Sequence, residues 1–271
     1  MPAINTNVAA LFAQQSLKVN ERNQSKAMRQ LSTGSRVNTA ADDAAGMAIG
    51  QNMTSQVKGL NQAVRNLNDG VNMMQTAEGA LGETSNMLQR MRELAVQSAN
   101  GTYSTTQRTY LQTEFDALSS QIGKIATDTK WNDQSLLSST TTFTFQAGKD
   151  NGQTVAVVIS GMTLVSLGVV AATSVGTSTS AVTSLTTLDT AIGFVNSQRA
   201  NIGASINQMT YAVDNLSNVA ANVAASRSTI MDTDYATAST QLSKTQIIQQ
   251  AATAMLAQAN QQPQSVLALL K

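Results

Sequence analysis

Two pairs of acidic residues have the types and spacing from which an active site or a metal site can be built. Asp42 and Asp43 are adjacent carboxylates, as in acid–base sites. Asp232 and Asp234 are spaced like the first ligands of a calcium loop, but the glycine and the distal glutamate of such a loop are absent. Both pairs are better interpreted as helix caps or turns, which short acidic side chains favour.

A third charged group lies in LQRMRELAVQSAN, residues 88–100, where Arg90, Arg92 and Glu93 interrupt a helical pattern. A solvated helix face and a surface that contacts other molecules both explain this mixture. Arg90 and Leu94 are four residues apart and so are expected on one side of a helix, where Gln89 and Gln97 flank them. The residues of this candidate contact surface are Gln89, Arg90, Leu94 and Gln97.

The composition excludes several classes of chemistry. The chain has no cysteine and no histidine, so it has neither a thiolate nucleophile nor an imidazole for metal binding or general-base catalysis. Its net charge of +1 gives no strong field that would attract nucleic acid or an anionic membrane. No apolar run approaches the ~20 residues that span a bilayer, and no secretory signal peptide is recognisable. We therefore expect a protein that is not an enzyme and binds no metal or cofactor.

Two long stretches carry apolar residues at alternating spacings of three and four, the pattern of a coiled-coil seam. The first begins at Met53 and weakens near Glu78, where we expect the helix to change its packing partner. The second runs over residues 188–230, and a shorter stripe lies between them at residues 111–125. A helix over residues 43–99 would be about 85 Å long. The pattern predicts a mainly α fold, an elongated helical-bundle and coiled-coil rod built from the N- and C-terminal halves.

Four glycines interrupt the first of these long helices. Each one costs up to ~1 kcal/mol in a helix interior, so we expect them to allow close contacts with neighbouring helices. They are Gly59, Gly70, Gly79 and Gly82.

The middle of the chain changes from helical periodicity to a period of two. TTFTFQAG and QTVAVVIS flank the turn signal KDNG, which predicts a small β-hairpin. Residues 160–187 are rich in Gly, Ser, Thr, Val and Ala with hardly a charge, which is typical of a surface loop with an extra strand or two.

The two ends, residues 4–31 and 235–270, carry narrow apolar stripes on a background of Gln, Asn, Ser and Ala. Isolated helices of this kind are marginal in water, so we expect both ends to be disordered until they find partners. The candidate assembly residues on these stripes are Ile4, Val8, Leu11, Leu242, Ile248, Ala252 and Met255.

Long motifs in both halves resemble those of bacterial flagellins. The N-terminal half contains QLSTGSRVNTAADDAAGMAIG and LQRMRELAVQSANGT, and the C-terminal half contains AIGFVNSQRANIGA and LSKTQIIQQAATAMLAQANQQPQSVLALL. The resemblance covers residues 1–145 and 188–271, with departures from the family pattern at Gln30 and Ser35. It implies a short flagellin that lacks large outer domains.

This resemblance implies a structural subunit that polymerises into the extracellular filament of the bacterial flagellum. Five segments follow from it: 1–43 and 232–271 as an inner coiled-coil domain, 44–159 (with the β-hairpin) and 188–231 as a helical rod domain, and 160–187 as a short variable surface region. The alternatives are a junction or cap protein that does not polymerise and, in another class, a secreted coiled-coil adhesin or enzyme.

The resemblance also implies partners and a route of export. Besides further copies of itself, the partners are an export chaperone at the C-terminal segment, the filament cap and hook-associated junction proteins, and the vertebrate Toll-like receptor for flagellin. Receptor and neighbouring subunits would contact the surface around Arg90, together with Glu114 on the following helix. Export would proceed through the flagellar type III apparatus, without a cleaved signal peptide.

Overall fold

Helices dominate the computed structural model, which describes residues 7–170 and 173–268, with side chains up to residue 261. The helices are α1 (Val8–Thr33), α2 (Ala44–Ala99), α3 (Thr105–Asp128), α4 (Ser178–Met231) and α5 (Tyr235–Ala268). The strands are β1 (Lys130–Trp131), β2 (Gln134–Ser135), β3 (Thr141–Gln146) and β4 (Thr154–Ile159). The predicted mainly α fold with a small central β-hairpin is confirmed.

The chain divides into two compact units. Unit 1 comprises residues 1–57 and 221–271, and unit 2 comprises residues 58–220. The long helices α2 and α4 contribute residues to both units. The five segments expected from the sequence stay a prediction, because their boundaries follow the family resemblance and not this division.

Short polar side chains cap the helices at the positions where the sequence placed them. Asp43 accepts a hydrogen bond from the Gly46 amide at the start of α2 (2.8 Å), and Asp234 accepts one from Ala236 at the start of α5 (2.9 Å). Asp42 instead stabilises the turn before α2, since the Thr39 hydroxyl donates to it at 3.0 Å and the Lys26 ammonium lies 3.2 Å away. These contacts lower the pKa of Asp42 to about 2. The acidic pairs are therefore structural.

The buried face of α2 differs from the seam that the sequence predicts, because the residue that precedes each of Val64, Val71 and Glu78 is buried in its place. Large apolar residues were expected at the buried positions as far as Glu78, where the helix was expected to change its packing partner. Several of the buried residues are instead small, and the same spacing of buried positions continues beyond Glu78. Small side chains allow close packing yet give no signal in a search for large apolar residues. The buried positions that keep this spacing are Leu60, Ala63, Leu67, Gly70, Met74, Ala77, Leu81, Thr84, Leu88, Met91, Ala95 and Ser98, and Met73, Ser85 and Leu94 beside them are buried as well.

The same offset occurs in α4. The predicted seam over residues 188–230 includes Ile192 and Arg199, but the preceding residues, Ala191 and Gln198, are buried in their place. Gln198 Nε2 donates a hydrogen bond to the Val158 carbonyl of β4 (3.1 Å), which satisfies the buried amide. Arg199, the polar residue of the predicted seam, is thus half-buried next to Gln198.

One of the four helix glycines, Gly70, meets a neighbouring helix as predicted, whereas Gly59 meets the β3–β4 turn. A Cβ added at Gly70 would lie 3.0 Å from both Met209 and Phe145, and one at Gly59 would lie 3.1 Å from Lys149. At Gly79 and Gly82 the prediction is wrong, since an added Cβ would have no atom of the described chain within 4 Å.

Two antiparallel hairpins follow α3. The predicted one pairs β3 with β4, from Thr141 opposite Ile159 to Gln146 opposite Thr154. A second one, β1–β2, was missed; Asn132 and Asp133 form its turn with φ angles of 47° and 63°. This Asn-Asp pair is the available signal, because both residue types tolerate a left-handed backbone in tight turns.

The segment expected to be a surface loop is packed into the core of unit 2. Met162, Leu167, Val169 and Val175 are almost fully buried, and residues 178–187 are the first turns of α4. Between residues 160 and 177 the described part holds no strand. Val, Leu and Met spaced irregularly among Ser and Gly give no periodic signal, so composition alone suggested a loop.

Polar side chains hold this segment in place. Gln112 of α3 accepts hydrogen bonds from the Ser174 hydroxyl (2.9 Å) and the Val175 amide (2.6 Å). The buried Ser98 hydroxyl donates to the Val175 carbonyl. Hydrogen bonds of this kind fix an irregular backbone that would otherwise leave polar groups unsatisfied.

Candidate functional site

The first candidate surface belongs to α1 and α5, which pack against each other in unit 1. Asn7 Nδ2 donates to the Ala259 carbonyl (2.8 Å), and Asn20 Nδ2 donates to the Thr245 carbonyl (2.7 Å). As the residue number rises along α1, the partner number falls along α5, so the pair is antiparallel. Both ends of the chain were expected to be disordered until they find partners. In the structure their described parts, α1 and α5, are partners of each other within one chain.

The seam between these helices is narrow and made mostly of small or polar residues. Its members alternate spacings of three and four, as in a coiled coil. On α1 they are Ala10, Ala13, Leu17, Asn20, Gln24, Ala27 and Leu31, and on α5 they are Ala238, Leu242, Thr245, Gln249, Ala252, Leu256 and Ala259. Burial of small side chains removes little apolar area from water, so this seam gives limited stability.

Apart from the four seam leucines, most of the large apolar residues described on these helices lie outside the seam and are exposed. Phe12 and Val19 are seven residues apart on one side of α1, and Ile248 and Met255 are seven apart on one side of α5. We call the following residues the terminal apolar set: Val8, Leu11, Phe12, Val19, Ile247, Ile248 and Met255.

The predicted assembly residues therefore separate into two groups. Val8, Leu11, Ile248 and Met255 belong to the exposed terminal apolar set. Two others pack inside the chain: Leu242 and Ala252, half-buried in the α1–α5 seam. Ile4 lies outside the described residues. Periodicity found the stripes but did not separate inner from outer positions, because both sides of these helices carry apolar residues.

The second candidate surface is an ion-paired strip on α2. Arg90 Nε donates to Glu114 of α3 at 2.9 Å, and its Nη1 donates to Glu93 at 2.9 Å. Arg92 Nε donates to Asp189 of α4 at 2.6 Å. Glu114 raises the pKa of Arg90, and Arg92 lowers the pKa of Asp189, so these charges persist at neutral pH. The strip therefore joins α2 to a helix on each side.

Most of the residues predicted for this surface are exposed, but Leu94 is not. Gln89, Arg90, Gln97 and Glu114 are accessible, whereas Leu94 is only 1% exposed and packs in the core of unit 2. The apolar residue that a partner can reach is Val96, which the sequence analysis missed. A shallow groove on this strip is lined by Gln89, Arg92, Glu93, Val96 and Gln97. We call these residues, with Arg90 and Glu114, the α2 strip.

The described residues include no group of three or more acidic side chains arranged to hold a metal ion. None of the described helices combines the length and the hydropathy needed to cross a membrane.

Comparisons with known proteins match nearly the whole chain. The bacterial flagellin N-terminal helical region matches residues 4–142, and the bacterial flagellin C-terminal helical region matches residues 185–270. The flagellin of Halalkalibacterium halodurans is 40% identical over 270 residues, which cover 99% of each chain. The flagellar filament 33 kDa core protein of Treponema phagedenis is 39% identical over 284 residues, again with 99% of each chain covered.

Solved structures give a similar result. The crystal structure of Bacillus cereus flagellin has a TM-score of 0.51 and 33% identity, and covers 56% of this chain and 88% of its own. A putative flagellar hook-associated protein from Vibrio parahaemolyticus has a TM-score of 0.59 but 15% identity, and covers 70% of this chain and 99% of its own. The second likeness concerns the fold alone.

Proposed function

This chain belongs to the bacterial flagellin family, and we propose that it polymerises into the flagellar filament through its terminal apolar set. Members of the family are structural proteins, and the chain is a subunit of the filament. The observation that carries the proposed contact is the exposure of the terminal apolar set, whose residues lie outside the seam that joins α1 and α5.

Physical reasoning supports an intermolecular role for these residues. Their exposure leaves apolar area in water, and burial against a second subunit would remove it. The intramolecular seam is narrow and made mostly of small or polar residues, so we expect the α1–α5 pair to be only weakly stable until such burial occurs. Contacts between different surfaces of successive subunits give a helical polymer when the rotation between subunits does not close into a ring.

The α2 strip is proposed as a second contact surface between subunits. In the free subunit the same strip would be the site for the vertebrate Toll-like receptor for flagellin. The support is its accessible mixture of arginine, glutamate, amides and Val96, since charged and apolar groups side by side are common in protein interfaces. Leu94 would contribute indirectly, because it is buried in the core of unit 2 on the helix that carries the strip.

Further partners are proposed from the family. An export chaperone would cover the C-terminal segment, residues 232–271, whose apolar residues would otherwise be exposed before assembly. Filament cap and hook-associated junction proteins would bind the ends of the polymer. The subunit would leave the cell unfolded through the flagellar type III apparatus and without a cleaved signal, so its site of action would be extracellular.

Seeded polymerisation tests the proposed contact. Purified protein is dissociated by acid, returned to neutral pH with short filament seeds, and followed by light scattering and electron microscopy. We expect the full chain to extend the seeds and a chain without residues 235–271 to fail. Ile248→Ser should raise the concentration needed for growth about tenfold or more, because it removes a large apolar side chain from the contact.

A matched control lies two residues away on the same helix. Gln246 is exposed but polar, and Gln246→Ser should leave growth unchanged. Equal effects of the Ser variants at 246 and 248 would contradict a contact made by the terminal apolar set. A full chain that remains monomeric, or that only blocks the seeds, would instead indicate a junction or cap protein.

A further inference from the structure

Methionine side chains are distributed unevenly between the core and the surface. Four of those described are half-buried, and two are exposed: Met28 at 55% and Met255 at 66%. Five are almost fully buried in unit 2, namely Met73, Met74, Met91, Met162 and Met209. Both exposed methionines lie on the helices that form the α1–α5 pair. Oxidation of a thioether requires access of the oxidant to the sulfur, so these two positions are the reactive ones.

Met255 has a second property that Met28 lacks. It belongs to the terminal apolar set, on the same side of α5 as Ile248. Met28 is also an exposed residue of α1, but it is nine residues from Val19 and therefore lies about 180° around the helix from the side that carries Phe12 and Val19. Two methionines of similar exposure therefore differ in whether a neighbouring subunit is expected to cover them.

We propose that Met255 is an oxidation site at which hydrogen peroxide or a related two-electron oxidant prevents filament growth. This inference rests on the proposed assembly through the terminal apolar set. In the reaction the thioether sulfur attacks one peroxide oxygen and the O–O bond breaks. The sulfur loses two electrons and becomes a sulfoxide, and the other oxygen leaves as water after proton transfer.

The sulfoxide changes the contact chemically without changing the fold of unit 2. It replaces a flexible apolar group with a strongly polar one that accepts hydrogen bonds and donates none. Burial of such a group against apolar residues of a second subunit carries a desolvation penalty unless a donor is present. In the free subunit the oxidised side chain stays in water, so the penalty falls on assembly.

The modification is reversible in principle. Methionine sulfoxide reductases return the sulfur to the thioether, one enzyme for each sulfoxide epimer. A subunit oxidised before incorporation is therefore inactive in growth and recoverable. A subunit already inside the polymer is protected, because its Met255 is covered.

Peptide mapping by mass spectrometry after brief treatment of the full-length monomer with dilute hydrogen peroxide gives the order of oxidation. We expect Met28 and Met255 to be converted first and the five core methionines last. Conversion of Met255 no faster than that of the core methionines would overturn the proposal. Assembled filaments treated in parallel should show slower oxidation at Met255 than the monomer does.

Seeded growth then connects the modification to assembly. Each protein is compared with its own untreated sample, so that any effect of a substitution on growth cancels. Peroxide should slow seeded growth of the unsubstituted chain and of Met28→Leu about tenfold or more. Met255→Leu should retain its growth, because leucine is apolar, similar in volume and not oxidised by peroxide. Treatment of the oxidised unsubstituted chain with both reductases should restore growth.

The outcomes separate the two proposals. Growth of the untreated chain, followed by equal loss of growth in Met255→Leu after peroxide, would overturn the role of Met255 and leave the proposed function standing. Unchanged growth of a chain shown to carry the sulfoxide at position 255 would do the same. Failure of the untreated chain to extend seeds would overturn the proposed function and this inference with it.

Discussion

Arg90 is the residue that links the parts of the α2 strip. Its guanidinium donates to Glu114 on α3 and to Glu93 one turn away on α2, each at 2.9 Å. Two acceptors fix the planar group in one orientation and raise its pKa, so a partner meets a preformed charge pair. Preorganisation of this kind reduces the entropy lost on binding.

Removal of the Arg90 guanidinium should weaken both proposed uses of the strip. We expect Arg90→Ala to lower the yield of filaments and to raise the concentration needed for receptor activation about tenfold or more, because two carboxylates lose their partner in the contact. Filament yield is measured by sedimentation, and activation is measured in reporter cells that carry the receptor.

Arg92→Ala is the matched control for this prediction. Arg92 is also exposed and ion-paired, but it joins α2 to Asp189 of α4 and not to α3. A smaller effect than that of Arg90→Ala would assign the contact to the side of the strip near Glu114. Normal filament yield together with normal receptor activation in Arg90→Ala would refute the prediction.

At the scale of elements, two asparagine amides connect the helices of the α1–α5 pair across their seam. Asn20 is 5% exposed and donates across the seam to the Thr245 carbonyl. A polar residue at a seam position favours the register in which its amide reaches an acceptor. A seam made mostly of small side chains discriminates less between registers by itself.

Replacement of Asn20 by an apolar residue should therefore allow the helices to slip. The chain has no cysteine, so introduced pairs report the register without interference. Ala13→Cys with Ala252→Cys should form a disulfide in the native register, and Ala13→Cys with Ala259→Cys should not. In an Asn20→Leu background we expect the second pair to become cross-linked as well.

Gln24→Leu serves as the control for this experiment. Gln24 is another polar seam residue, but its side chain makes no hydrogen bond within the described chain. The native cross-link should remain dominant in Gln24→Leu. The same ratio of native to slipped cross-links with Asn20 and with Leu at position 20 would show that the amide does not set the register.

The sequence predicted the long helices better than their contacts. The start of α2 was expected near residue 43 because of the acidic cap, and the helix begins at Ala44. The seams were displaced, because Ala63, Ala77 and Ala191 occupy buried positions that a search for large residues passes over. The packing of residues 160–177 was missed because its apolar residues have no regular spacing. Hydrogen bonds donated by Ser98 and accepted by Gln112 hold this segment, and they leave no periodic signal in the sequence.

The candidate surfaces were predictable only in part. The stripes on α1 and α5 were visible as apolar residues, yet which of them pack inside the chain depends on the partner helix. Leu94 illustrates the limit for α2, because its spacing from Arg90 suggested one exposed face. Residues four apart on a helix differ by about 40° in direction, which is enough to place one in the core and the other in solvent.

At the scale of the whole molecule, buried apolar residues are divided very unequally. Of the buried hydrophobic residues in the described chain, only Ala27, Val37 and Ala238 lie in unit 1, and the others lie in unit 2. The hydrophobic contribution to the free energy of unfolding scales with the apolar area removed from water. Unit 2 should therefore be much more stable than unit 1 in the unassembled chain.

Heating of the monomer should accordingly give two transitions. Far-UV circular dichroism follows both, because helices occur in both units, and fluorescence of the single tryptophan, Trp131 of unit 2, follows only the upper one. Leu81 is fully buried in unit 2, so Leu81→Ala should cost about 2–5 kcal/mol and lower the upper transition alone. Leu17→Ala, in the α1–α5 seam, should lower the first transition alone. A single transition that both probes report together, shifted by either variant, would mean that the two units unfold cooperatively and that the seam is stabilised from unit 2.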